Sequence, residues 1–144
     1  MAPEVEAQRL DEETVRPLAD LRRLLVDQRK AVRLRIALPF TYQIDLPTGR
    51  LEDHGVTQNI SGGGVMIRLP QMVSPQTACQ LWLKLPDHLE PVAMRGRTIW
   101  CRACQGRTAT YDIGIAWVVP REHYHAAYGM YCQFIMSHLL ARAL

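Results

Sequence analysis

Between Ile36 and Val119 this chain falls into short stretches broken by glycine and proline, and in Cys79 to Leu85 and Val92 to Cys104 the residues of one face recur at every second position. That is the period of half-buried β-strands. Ile36 to Leu46 reads as a strand ending at the turn sequence Pro47-Thr48-Gly49. A second strand runs from about Leu51 to Ile60, and a third from Val65 to Leu69 beyond the triplet Gly62-Gly63-Gly64. In Cys79 to Leu85, Leu81, Leu83 and Leu85 share one face and Trp82 and Lys84 the other, and Pro86 stops the strand. Val92 to Cys104 places Met94, Gly96, Thr98 and Trp100 on one face. Gln105-Gly106 marks a hairpin, and Thr108 to Val119 is the last strand. Six strands joined by tight turns predict a small antiparallel barrel.

Toward both ends the period lengthens to that of a helix. Leu18, Leu21 and Leu25 recur at helical spacing with Leu24 beside them, and Pro17 suits a first turn. They predict a helix over 16–28. After Pro120, the residues Tyr124, Tyr128, Tyr131, Phe134, Ile135, His138 and Leu139 trace a long helix over 121–144. The expected organisation is a loose leader (1–15), an N-terminal helix (16–28), a barrel domain (29–120) and a C-terminal helix (121–144). The stretch from Phe134 to Leu144 exceeds what a barrel end can cover, so a homodimer through this helix is an expectation.

Composition narrows the function classes. The 144 residues, 48% hydrophobic and 22% charged, suit one globular domain. No apolar run reaches the roughly 18–20 residues of a membrane span. Met1 to Asp11 is acidic without the apolar stretch of an export signal, so a cytoplasmic location is expected. A net charge of +3 and few aromatic residues argue against a nucleic-acid platform. His54, His88, His123, His125 and His138 fall into no catalytic pattern, and no enzyme activity is expected. Of the cysteines Cys79, Cys101, Cys104 and Cys132, one pair forms a CxxC with no second half of a zinc site. In a strand its two members face opposite sides. Neither a metal nor a cofactor is expected.

The basic residues are unevenly placed. Fifteen of the seventeen are arginine, and Arg22, Arg23, Arg29, Lys30, Arg33 and Arg35 fall close together. Arg29-xxx-Arg33 stands just before the first barrel strand. Asn59-Ile60-Ser61-Gly62-Gly63-Gly64 stands at a strand–turn–strand junction. Alone, the first reads as a solvated basic pair and the second as an Asx or Ser turn.

Together they resemble the PilZ family, bacterial receptors for cyclic di-GMP. That family carries RxxxR ahead of its barrel and D/N-x-S-x-x-G on the barrel surface. Ile113-Gly114-Ile115-Ala116-Trp117 is similar to a later strand of the same family, and the resemblance covers about 28–119. It implies that Arg29 and Arg33 meet phosphate or guanine, for which the guanidinium fork is suited. It implies that Asn59 accepts from guanine N1 and N2, that Ser61 donates to the ligand or braces the loop, and that Gly64 is the motif glycine. Gly63 fills a variable position beside it. Gln28 stands where many members carry a further arginine, a place associated with binding one ligand or a stacked pair. Arg35 is a secondary candidate as a replacement cation. Trp82, Trp100 and Trp117 read first as packing residues, with Trp117 also a secondary ligand candidate. The implied function is a binding switch acting on an effector protein that controls motility, adhesion, exopolysaccharide or virulence. The alternative is a PilZ-like interaction protein that binds no nucleotide.

Overall fold

In Pro39–Leu46 (β1) every second side chain is buried: Phe40, Tyr42 and Ile44 turn inward while Pro39, Thr41 and Asp45 face solvent. The computed structural model describes residues 32–106, 109–119 and 126–143. The other strands are Gly49–Val56 (β2), Asn59–Ile60 (β3), Gly64–Leu69 (β4), Ala78–Leu83 (β5), Val92–Ala103 (β6) and Tyr111–Trp117 (β7). One helix follows, Ala126–Ala143 (α1). The expected helix over 16–28, together with Gln28 and Arg29, lies outside the described residues.

All neighbouring strands are antiparallel, in the order β2-β1-β5-β6-β7-β4-β3. The edge strands β2 and β3 are consecutive in the chain, with only Thr57 and Gln58 between them. A flat sheet of this size would hold its edges roughly 29 Å apart at about 4.8 Å per strand step. Three peptide links reach at most about 11 Å. The sheet therefore curls until its edges nearly meet. The joint records the crossing: Thr57 N donates to Leu38 O beside β1 at 3.0 Å, and Gln58 N donates to Met66 O in β4 at 2.8 Å.

This corrects the six-stranded barrel expected from sequence. The sheet is a half-barrel of seven strands, because the segment read as one strand over 51–60 leaves β1 at Thr57 and joins β4. Buried Thr57 makes that corner. Its Oγ1 accepts from Leu38 N at 2.8 Å and donates to Ile36 O at 2.7 Å.

The concave face is the core. Val65, Ile67, Leu69, Leu81, Leu83, Met94, Ile113 and Ile115 line it. The α1 residues Tyr128, Tyr131 and Ile135, one helical face at intervals of three and four, pack into it with Met136. A buried Ile or Leu contributes about 1.5–3 kcal/mol, so this face carries most of what holds α1 on the sheet. Phe134 lies outside this row and stacks edge-on with His138 at 4.5 Å. Among the described residues no helix is long and apolar enough to cross a membrane, and no three metal-ligating groups cluster. Burial pushes the Cys79 thiol up to about 12.

Candidate functional site

The chain ahead of β1 is tied to the start of the β3–β4 hairpin. Leu34 and Ile60, both buried, exchange two backbone hydrogen bonds: Leu34 N to Ile60 O at 2.8 Å and Ile60 N to Leu34 O at 2.9 Å. With those side chains turned inward, the flanking Arg33 is exposed beside Ser61. The pairing does not continue. Ile36 N bonds back to Leu34 O at 2.9 Å, a three-residue turn that leads the chain away.

The β3–β4 turn is braced from inside. Ser61 N donates to Gly64 O at 2.9 Å, and Gly64 N donates to Ser61 Oγ at 3.2 Å. Gly64 lies so near β7 that a Cβ there would stand 2.0 Å from Ile115 O. Only a residue without a side chain fits. From α1, the hydroxyl of Tyr131 donates to Ser61 O, and that of Tyr128 donates to Gly62 O at 2.8 Å. Burial pushes the Tyr131 phenol well above its usual pKa, so it keeps the proton it donates. Asn59 Nδ2 is turned to Met66 Sδ at 3.6 Å, which leaves the amide oxygen on the other side.

The third wall comes from β6 and β7. The strands are in step up to Thr98–Ile115, then slip by one, so that Trp100 rather than Ile99 opposes Gly114. This β-bulge overturns the expectation that Trp100 shares a face with Met94, Gly96 and Thr98. Thr98 is buried, whereas Trp100 lies on the outer face with its indole against Gly114, where a Cβ would stand 2.3 Å from Nε1. Arg102 sits over the indole at 5.3 Å from the ring centre. Beyond it, Arg68 Nε donates to Asp112 Oδ1 at 2.8 Å, and this bond holds the Asp112 carboxyl below its usual pKa.

These walls enclose an open cleft of about 270 Å³ lined by Arg33, Asn59, Ser61, Gly63, Gly64, Val65, Ile99, Trp100, Gly114, Ile115, Ala116 and Trp117. Among the described residues no carboxylate lines the cleft, and the one charged group there is a cation. The cleft offers a guanidinium, an amide and an indole to a ligand that is anionic and carries flat polar rings. Trp117 packs its ring edge-on against Tyr131 at 5.5 Å. Its indole N–H, near the Tyr131 hydroxyl, has no hydrogen bond of good geometry among the described residues.

Six residues picked out by sequence meet here: Arg33, Asn59, Ser61, Gly63, Gly64 and Trp117. Arg35 is exposed and does not line the cleft. Gln28 and Arg29 lie outside the described residues. Sequence reasoning missed Val65, Ile99, Trp100, Gly114, Ile115 and Ala116 as lining residues, and the placement of Ile99 and Trp100 depends on the bulge. The only signal was a tryptophan that register would bring opposite a glycine.

The fold is a curled antiparallel sheet whose lead-in segment, carrying Arg33, pairs with a small-residue hairpin. A family model for the PilZ domain matches residues 27–134, well over half of the chain, and the chain belongs to the PilZ domain family. The match extends past the barrel to Phe134 in α1, beyond the 28–119 that carried the resemblance. Among solved structures, the chain is similar to the Bacillus subtilis inhibitor of motility (MotI/DgrA), with a TM-score of 0.59 and 14% identity over 79% of this chain and 52% of that one. It is similar to K. pneumonia MrkH, with a TM-score of 0.57 and 15% identity over 78% of this chain and 49% of that one. It is also similar to the Borreliella burgdorferi PlzA protein in complex with c-di-GMP, with a TM-score of 0.53 and 10% identity over 86% of this chain and 59% of that one. At such identities the likeness is one of fold, and the chain spans about half the length of the first of these proteins. No curated protein sequence matches the chain significantly.

Proposed function

We propose that this chain is a cyclic di-GMP receptor without catalysis of its own, which binds the dinucleotide in the cleft between Arg33 and the Ser61–Gly64 turn. The observation that carries the reading is the convergence of Arg33, Asn59, Ser61 and Gly64 on one cleft that no carboxylate lines among the described residues. Membership of the PilZ family and a structural neighbour solved with c-di-GMP support it. Arg33 pairs with a phosphodiester oxygen or with guanine O6 and N7. The Asn59 amide oxygen accepts from the guanine N1 and N2 groups, and Ser61 braces the turn. Arg29, four residues before Arg33, supplies the second cation.

The ligand bridges the two arginines to the Asn59–Ser61 face of the half-barrel, and this changes the surface offered to an effector protein. A ligand drives such a change only through its differential affinity for the two arrangements. The output controls motility, adhesion, exopolysaccharide or virulence. Isothermal titration with cyclic di-GMP tests the reading: wild type binds, and Arg33→Ala and Asn59→Ala lose most of the affinity. A wild type that binds nothing would leave a PilZ-type interaction protein. Equal binding by all three proteins would move the site elsewhere.

A further inference from the structure

Three consecutive carbonyls of the β3–β4 turn are held from the protein side. Tyr131 donates to Ser61 O, Tyr128 to Gly62 O at 2.8 Å, and Trp117 N to Gly63 O at 2.9 Å. These peptide bonds are trans. In a trans peptide the N–H points opposite to the C=O of the same unit. Fixing the carbonyls of Ser61 and Gly62 toward α1 therefore turns the N–H groups of Gly62 and Gly63 away from the helix. The next amide, Gly64 N–H, is spent on Ser61 Oγ at 3.2 Å. Those of Gly62 and Gly63 have no acceptor among the described residues, although Gly62 is buried. A buried N–H is rarely left without a partner. Two successive donors facing one way form a concavity suited to an anion.

We propose that the backbone N–H groups of Gly62 and Gly63 form a phosphate subsite of the cleft, and that Tyr128 and Tyr131 are its positioning residues. The inference rests on the cyclic di-GMP reading and assigns one phosphodiester of that ligand to the turn, opposite Arg33. Tyr131 is fully buried and Tyr128 is 8% exposed, so each hydroxyl is held by the packing of its ring. Three successive glycines give the turn little preference of its own, which is why outside donors decide its shape.

Titration of the ¹⁵N-labelled chain with cyclic di-GMP, followed by amide spectra, tests this. The Gly62 and Gly63 amide protons are expected to move downfield on saturation. Tyr131→Phe, which keeps the ring and removes the hydroxyl, is expected to weaken affinity about three- to tenfold, the worth of one net hydrogen bond. Ile135→Val, on the same buried helix face, is expected to lower the melting temperature and leave affinity unchanged. Should Tyr131→Phe fail to fold, Tyr128→Phe and the wild-type shifts decide. Unmoved Gly62 and Gly63 amides in a wild type that binds would overturn the subsite and leave the receptor reading standing. Equal weakening by Ile135→Val would reduce the tyrosines to general packing. A wild type that binds no cyclic di-GMP would remove both.

Discussion

The two edges of the sheet each carry a hairpin with a glycine at its turn and an arginine–aspartate pair nearby, and they use them differently. In the β1–β2 hairpin the turn is exposed. Gly49 takes a φ of 136°, with nothing within 4 Å of where its Cβ would be. Its glycine is there for backbone conformation alone. In the β3–β4 hairpin Gly64 answers a close approach to β7, and the turn is held by α1 and β7. A turn shaped by its own backbone needs nothing from the rest of the protein. A turn shaped by packing is fixed where a ligand requires it and communicates with whatever holds it.

Substitution at the two glycines should separate these roles. Gly64→Ala drives a methyl into the Ile115 carbonyl. It is expected to cost about 3 kcal/mol or more by denaturant unfolding, at the upper end for overpacking, and to abolish cyclic di-GMP binding. A cost below about 1 kcal/mol would mean that β4 can slide away from β7. Arg33→Ala comes next and acts on binding alone. The loss of charge-assisted bonds is expected to weaken affinity by about 2 kcal/mol, roughly thirtyfold, with the unfolding midpoint unchanged because the side chain is exposed. Gly49→Ala is smaller again. Strain at a positive φ costs about 1–2 kcal/mol of stability, and titration should show wild-type affinity. Reduced affinity in Gly49→Ala would mean that the free hairpin is coupled to the cleft.

Much of the half-barrel was legible because alternation reports which face is buried, and β1, β4 and β5 follow it residue by residue. Two features were not legible, for a shared reason. The break at Thr57 has no glycine or proline at the corner itself, and the nearest glycine, Gly55, lies inside β2. The corner is set by hydrogen bonds to residues 19 and 21 positions away. The bulge at Ile99 likewise has no glycine or proline at the slip, and only the register with β7 reveals that Trp100 is turned outward. The motif residues around the cleft could be named because their types and order are distinctive. The tyrosines behind the turn could not, since a helical apolar stripe accounts for Tyr128 and Tyr131 without their hydroxyls. What those hydroxyls meet lies 66 and 70 positions earlier in the chain.

The ion pairs give the smallest effect and the one that depends on pH. Arg50 and Asp45, 3.1 Å apart, are both more than half exposed. Such pairs contribute about 0–1 kcal/mol, and Asp45→Asn should leave stability nearly unchanged at pH 7. Asp112 is mostly buried, and its bond to Arg68 depresses its pKa below the unfolded value. A depressed carboxyl contributes stability that is fully present above its unfolded pKa, near 4, and is lost as the pH falls through the folded value. Asp112→Asn should therefore be less stable than wild type at pH 7, and the gap should close as the pH falls below about 4. Urea unfolding of both proteins at pH 7 and pH 3 measures it. A gap of equal size at the two pH values would mean that the substitution acts through packing, and that charge at the site-bearing edge matters as little as it does at the free hairpin.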